Sequence, residues 1–245
     1  MTGTLEEQGS TTPEGHILSR FDGDLGYFRG LVLDMGSRVQ SQVELASDAL
    51  VSCDVAKARK VIRDYRVIRD LDIEAQEANT RLFAIHKPVA RDLRFVLTLS
   101  RTVYDLERIN GEALRLADIA EALYERPPSV SDCAIFEDVQ RIAVPAMGLL
   151  ERSLLAVARE DVHLAVEVAF DGKDLEHIFR GAIRRLATYL MEDPRNIRWV
   201  IDATLGIKAM ERIGDHACSI ARNLIFSITG KDVRHVHVSS LSGAQ

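Results

Sequence analysis

The chain has 245 residues, of which 47% are apolar and 28% are charged, and its formal net charge is −6. This composition is typical of a globular protein, and the acidic balance argues against a general nucleic-acid binder, which needs a basic surface. No stretch approaches the roughly 18 uninterrupted apolar residues that a membrane-spanning helix requires. The sequence therefore predicts membrane contact only through a protein partner.

The three cysteines, Cys53, Cys133 and Cys218, lie far apart and form neither a CxxC motif nor a zinc-binding pattern with histidine. An odd and scattered count predicts reduced thiols, as in a cytoplasmic protein. The simplest interpretation of these cysteines is that they serve as small, partly buried apolar side chains.

Helical periodicity dominates the chain. Residues 1–20 are acidic and polar, and we expect a disordered leader there. Six amphipathic helices are predicted after it, at 25–51, 55–85, 91–124, 133–159, 162–191 and 194–228. Asp193 and Pro194 form a helix start signal, and Gly230 is a stop signal. Pro145 predicts either a kink in the fourth helix or its true beginning.

The two halves of the sequence are related. A shift of 104 positions places RDLRFVL (91–97) on RNIRWVI (195–201), and the same shift places LERIN (106–110) on MERIG (210–214). The repeat predicts an all-α fold of two tandem three-helix bundles. We expect the bundles at 21–126 and 132–233, with a linker at 127–131 and a flexible tail at 234–245.

Two carboxylates lie one helical turn apart in the sixth helix. Glu211 and Asp215 differ by about 40° in direction, so both flank the apolar face. Such a pair can chelate a divalent cation when a neighbouring helix adds an oxygen ligand, for which Glu176 is a candidate. The alternative is a solvated charged flank that Lys208 and Arg222 neutralise.

The first half carries an incomplete copy of this pair. Glu107 corresponds to Glu211, but Gly111 stands where Asp215 would be. Asp105 and Glu112 are close in sequence, yet we expect them to project elsewhere on the helix. His216 is adjacent to Asp215 but about 100° away, which makes it a poor third ligand.

Arginines recur every seven residues in the third helix. This stripe drifts by only about 20° per step, and guanidinium suits an acidic protein surface or a phosphate. The second half keeps only Arg198 and Arg212 in this register. The alternative is that the arginines pair with Asp105 and Glu112 on a solvated surface. The stripe consists of Arg94, Arg101, Arg108 and Arg115.

Enzyme motifs are absent from the sequence. It has no glycine-rich phosphate loop, no GxSxG and no HExxH. The Glu-x-x-His spacing of a di-iron enzyme occurs only at Glu160 and His163, where a turn between helices is predicted. We therefore expect no enzyme and no catalytic residue. A metal-dependent hydrolase or oxidase and a purely structural scaffold stay open as alternatives.

Four segments carry a resemblance to a known family. They are ERIGDHACSIA (211–221), GKDVRH (230–235), RDLRFVLTLSRTVYDLERI (91–109) and YLMEDPRNIRWV (189–200). Together they resemble the PhoU family of phosphate-uptake regulators over roughly residues 20–235. The family fold agrees with the tandem bundles predicted from the repeat.

The resemblance implies a cytoplasmic regulator without catalytic turnover. It implies that the protein represses phosphate uptake and the phosphate-starvation response. It also implies that the protein is an adaptor between the ATPase subunit of the phosphate ABC transporter and the cytoplasmic part of a sensor histidine kinase. It also implies a homodimer. A paralogue that regulates another stress or persistence response is the alternative. We expect the partner contacts at Arg94, Arg101, Arg108, Arg198 and Arg212.

Some family members hold multinuclear iron or zinc clusters on E(D)xxxD motifs, with further acids from the second helix of each bundle. Here Tyr65, Arg69 and Gly111 replace such acids in the first repeat, and Gly172 and Arg180 replace them in the second. The acids that remain predict at most one weak binding site for a divalent metal ion (Mg, Zn or Fe), in the C-terminal bundle. The alternative is that no metal binds. The remaining acids are Glu107 and Asp72, and Glu176, Glu211 and Asp215.

Overall fold

The computed structural model describes residues 13–125 and 136–231, with side chains at 20–123 and 136–231. All regular elements in these two ranges are helices, and none of them combines the length and apolar character needed to cross a bilayer. A short 3₁₀ helix, Pro194–Asn196, precedes the last element. The six long helices are α1 (Pro13–Ser52), α2 (Val55–His86), α3 (Ala90–Glu125), α4 (Glu137–Arg159), α5 (Val162–Glu192) and α6 (Ile197–Thr229).

Local signals in the sequence set several helix ends. The side chain of Asp54 accepts hydrogen bonds from the backbone N–H groups of residues 56 and 57 at the start of α2. Asp161 caps α5 in the same way, through the N–H groups of residues 163 and 164. At the other end of a helix, Gly230 adopts the left-handed conformation that ends α6, with φ of 72°. These caps confirm the predicted starts of α2 and α5 and the predicted end of α6.

Each repeat is a three-helix bundle, as the sequence predicts. Helices α1, α2 and α3 pack on one another, and α4, α5 and α6 do the same. The two apolar interiors merge into one continuous core, because α3 packs along α6 and α1 touches α4. Leu154 of α4, for example, fills the space beside Gly36 of α1.

Helix α3 runs antiparallel to α6 across the boundary between the repeats. Arg94 Nε donates to the carbonyl oxygen of Ser227 at 3.1 Å. One turn further along α3, Thr98 Oγ1 donates to the carbonyl oxygen of Asn223 at 3.0 Å. Residue numbers therefore rise along α3 as they fall along α6.

Three predicted boundaries need correction. Helix α1 begins at Pro13, so the predicted leader extends too far into the chain. Helix α4 begins at Glu137 rather than at residue 133, and Pro145 lies inside it and does not mark its start. Helix α6 begins at Ile197, after the 3₁₀ turn that Asp193 caps. Residues 1–12, the predicted linker at 127–131 and the predicted tail at 234–245 lie outside the described residues.

Candidate functional site

The carboxylate pair of α6 lies on an accessible flank, as predicted. Glu211 is half-buried and Asp215 is exposed. Lys208, one turn before Glu211, donates from Nζ to its Oε2 at 2.5 Å. The carboxylate of Glu211 is therefore already paired with a cation of its own helix.

Asp215 has an altered acidity. Partial burial raises the pKa of its carboxyl above the ordinary value, and the negative charge of Glu211 raises it further. Lys208 and Arg222 act in the opposite direction but do not cancel these two causes. The folded protein therefore disfavours the ionised form of Asp215 relative to the unfolded chain.

Glu176 does not join this pair. Its carboxylate accepts a hydrogen bond from Arg180 on the same helix, and both side chains are exposed. Among the side chains that the structure describes, at 20–123 and 136–231, no three of His, Cys, Asp or Glu gather closely enough to hold a metal ion. The metal site predicted at Glu211, Asp215 and Glu176 is not assembled as a three-ligand group.

Glu107, the fourth predicted metal ligand, lies in a separate groove between α2 and α3 of about 460 Å³. Asp72 lines the same groove and accepts two hydrogen bonds from Gln76 Nε2, each 2.9 Å long. Glu107 is also 3.7 Å from the guanidinium of Arg108. The first repeat therefore offers two carboxylates in one groove, without a third.

The arginine stripe of α3 divides between two environments. Arg94 binds the backbone of α6, and Arg101 donates from NH1 to Asn223 Oδ1 at 3.3 Å and lies over the ring of Phe226 at 6.0 Å. These two predicted partner-binding residues therefore also hold the two repeats together.

The other arginines, Arg108, Arg115 and Arg198, contact residues of their own helix. Arg108 lies over the ring of Tyr104 at 5.0 Å, and Arg115 is 3.4 Å from Glu112. Arg198 lies over the ring of Trp199 and is 4.0 Å from Asp202.

The alternative, in which the arginine stripe pairs with Asp105 and Glu112 on a solvated surface, holds only for the pair Arg115 and Glu112, and the surface is not solvated at these two acids. Both residues are buried, with exposed fractions of 5% and 4%, because they face α6. Asp105 Oδ1 lies 2.9 Å from His216 Nδ1, and Glu112 Oε1 lies 3.1 Å from Arg212 Nε. The charged residues of α3 therefore form a polar contact between the repeats, and Arg212 is part of it.

One exposed feature was not predicted. Ile197, Ile201 and Leu205 are spaced four residues apart on one side of α6, and each is between 44% and 53% exposed. The sequence does carry a signal for them, because they recur at i, i+4 and i+8. This row lies outside the apolar face of α6 that packs in the core. We call these three residues the apolar row of α6.

Comparison with known proteins decides the family. The family model described as the PhoU domain matches residues 32–120 and again residues 139–224. The chain belongs to the PhoU family. The two matched segments fall inside the two predicted bundles, so the internal repeat is a repeat of the PhoU domain.

Curated PhoU proteins match along most of their length. A phosphate-specific transport system accessory protein PhoU homolog from Pseudomonas aeruginosa is 35% identical over 226 residues, which cover 92% of each chain. The phosphate-specific transport system accessory protein PhoU of Escherichia coli K12 is 30% identical, over 90% of each chain.

Solved structures agree with the architecture. The crystal structure of PhoU from Pseudomonas aeruginosa matches with a TM-score of 0.82 at 34% identity, over 86% of this chain and all of that one. The PhoU structure from Streptococcus pneumoniae, at 23% identity, has a TM-score of 0.78 over 87% of this chain and 99% of that chain, and it supports the fold alone.

The residues of this PhoU chain do not fit a multinuclear metal cluster. A Cβ atom added at Gly172 would lie 2.4 Å from Cys218 Sγ, so the sulfur occupies the space that an acid at position 172 would need. Burial raises the pKa of the Cys218 thiol to about 11, which keeps it protonated and makes it a poor metal ligand. In the second repeat, the residues that remain for a metal are the pair Glu211 and Asp215.

Proposed function

We propose that this chain is a cytoplasmic negative regulator of phosphate uptake and of the phosphate-starvation response. The observation that carries the proposal is its similarity, over about nine tenths of both chains, to proteins named as accessory proteins of the phosphate-specific transport system. Its partners in this proposal are the ATPase subunit of the phosphate ABC transporter and the cytoplasmic part of a sensor histidine kinase.

The mechanism needs no catalytic turnover. An adaptor that binds one state of the kinase more tightly than another enforces that state by mass action. Its influence cannot exceed its difference in affinity for the two states, so a shift from 1:99 to 99:1 requires about a 10⁴-fold difference. The transporter would supply the signal by competing for the adaptor or by binding it at the same time.

The partner surface in this proposal combines charge with apolar area. Arg198 and Arg212 lie on α6, the helix that carries the apolar row, and Arg108 lies on the adjoining α3. The buried centre of a protein–protein interface is apolar, and arginine is enriched in such interfaces. Arg94, Arg101 and Arg212 would contribute less, since each already contacts the other repeat.

Salt dependence tests the role of these arginines. If they steer association, binding to the cytoplasmic part of the kinase weakens steeply as ionic strength rises, because exposed charges are screened. An affinity that does not change with salt would remove the arginines from the proposal and leave the apolar row as the contact.

Two finer predictions remain to be tested. A homodimer is measured by light scattering on the purified protein. A single weak divalent cation at Glu211 and Asp215 is measured by metal analysis of the wild type and of Glu211→Ala, with Glu107→Ala as the control from the first repeat. Metal that survives Glu211→Ala would place the site elsewhere.

A gene deletion tests the function directly. Loss of the protein should switch on a phosphate-starvation reporter in phosphate-rich medium, and the wild-type gene should restore repression. Unchanged repression in the deletion strain would refute the regulatory role. A Leu205→Asp variant, which alters the apolar row without touching the core, should fail to restore repression while the protein remains folded.

A further inference from the structure

A groove between α1 and α2, of about 510 Å³, lies apart from the carboxylates and arginines described above. Its volume is within the range of small-molecule sites in proteins. Residues from both helices line it: Ser37, Arg38, Ser41, Gln42 and Leu45 of α1, and Lys60, Asp64, Val67 and Ile68 of α2.

Gln42 is the unusual residue of this groove. It is only 5% exposed, and its Oε1 has no hydrogen-bond partner among the described residues. Gln42 continues the apolar face of α1 formed by Val39 and Val43, which are fully buried. A buried acceptor without a donor opposes folding, and an apolar residue of the same size would avoid that penalty.

The second repeat shows that the fold does not require this amide. The caps Asp54 and Asp161 fix the correspondence between the first two helices of each repeat. In that correspondence, Leu149 takes the place of Gln42 and is buried in the core. The amide is therefore a property of the first repeat, where it lines an open groove.

The surroundings of Gln42 define the chemistry of a ligand. Ile68 and Leu45 supply buried and half-buried apolar surface, and Val67 is 46% exposed at the edge of the groove. Arg38 and Lys60 are exposed cations, on α1 and α2 respectively. A suitable ligand would have a flat apolar group with a hydrogen-bond donor, which would meet the apolar side chains and Gln42. It would also carry an anionic group, which would meet the cations.

We propose that this groove binds an adenine nucleotide. A glutamine amide matches the edge of adenine, since its oxygen accepts from N6 while its nitrogen donates to N7. The base would lie against Leu45 and Ile68, and the phosphate would meet one of the two cations, Arg38 or Lys60. This pairing gives the amide oxygen of Gln42 the donor that it lacks.

The two cations are available at small cost. Arg38 donates from Nε to Asp34 at 3.0 Å, and Lys60 pairs with Asp64. Both are exposed pairs between residues four apart on one helix, and such pairs contribute little to stability. A phosphate group can therefore replace the carboxylates or share the cations with them.

The proposal goes beyond the regulatory function, because it gives the adaptor a second input from the nucleotide pool. It does not depend on the identity of the kinase or the transporter. A failure of the nucleotide site would leave the regulatory proposal intact.

Calorimetric titration of the full-length protein with AMP tests the site. Saturable binding is expected for the wild type, and Gln42→Leu should weaken it by about tenfold or more, as expected when a bidentate contact to a base is lost. Gln40→Leu is the matched control, because Gln40 pairs with Glu44 on the same helix and does not line the groove, and it should keep the wild-type affinity.

Two further probes separate the base from the phosphate. Ribose 5-phosphate lacks the base, and inosine monophosphate replaces the N6 amine with an oxygen, so both should bind less tightly than AMP. A melting curve of Gln42→Leu without ligand shows whether the variant is folded, and its melting temperature should equal or exceed that of the wild type. No binding of AMP at millimolar concentration, equal binding of ribose 5-phosphate, or an unchanged affinity in Gln42→Leu would each overturn the proposal.

Discussion

Asp105 Oδ1 of the first repeat lies 2.9 Å from His216 Nδ1 of the second, and the carboxylate is almost entirely buried between α3 and α6. A buried carboxylate that loses its partner opposes folding by about 1–3 kcal/mol. His216→Leu should lower the free energy of unfolding by an amount in that range, measured by urea denaturation. His177→Leu, at an exposed position of α5, is the control and should have little effect. Equal stability of His216→Leu and the wild type would show that this contact does not hold the repeats together.

Arg212 and Arg108 occupy equivalent positions in the two repeats but have different contacts. Arg212 lies 3.1 Å from the buried Glu112, whereas Arg108 lies over Tyr104 at the surface. Arg212→Ala should destabilise the protein by about 2 kcal/mol, less than a fully buried pair would give, because the side chain of Arg212 is 42% exposed. Arg108→Ala should cost less than about 1 kcal/mol. Equal losses in the two variants, measured by chemical denaturation, would contradict the asymmetry.

The fold follows from local signals, and for that reason it could be predicted. The periodicity of each helix, the caps Asp54 and Asp161, and the stop at Gly230 act within a few residues of one another. The shared offset of 104 positions between two blocks then fixes the repeat and, with it, the pairing of three helices per bundle.

The contact between the repeats could not be predicted in the same way. Helix α3 has two buried sides, one with Leu99 and Leu106 and another with Asp105 and Glu112. A pattern of apolar residues identifies only the first side, because acidic residues are ordinarily exposed. The partners of Asp105 and Glu112 on α6 are more than 90 residues away along the chain, so no local rule connects the two helices.

At the candidate metal site, too, the spacing of residues in the sequence did not reveal which side chains pair. The spacing of Glu211 and Asp215 correctly placed them on one flank of α6, but it could not reveal that Lys208 already pairs with Glu211 or that Arg180 holds Glu176. Likewise, the lack of room for an acidic side chain at position 172 became visible only when the position of Cys218 was known.

Two glycines in the third helices of the repeats should respond in opposite ways to alanine. A Cβ atom at Gly214 would lie 2.0 Å from Leu175 Cδ2, whereas a Cβ atom at Gly111 meets nothing within 4 Å. Gly111→Ala should stabilise the protein by up to about 1 kcal/mol through helix propensity. Gly214→Ala should lower stability overall, because overpacking of about 1–3 kcal/mol exceeds the same gain. Thermal melts of both variants test this. Stabilisation by Gly214→Ala would mean that Leu175 moves aside freely.

The carboxylate pair gives a prediction that depends on pH. Because the pKa of Asp215 is raised in the folded protein, by desolvation and then by Glu211, its ionisation opposes folding at neutral pH. Asp215→Asn should therefore stabilise the protein at neutral pH, by about 0.2–0.5 kcal/mol if like-charge repulsion in a helix is the guide. As pH falls through the raised pKa to below the ordinary value near 4, Asp215 becomes protonated in both states and the gain disappears. Asp70→Asn, at an exposed site of α2, is the control for a general charge effect. Urea denaturation of the three proteins across this pH range measures the difference, and a gain that persists in acid would show that it does not come from the charge of Asp215.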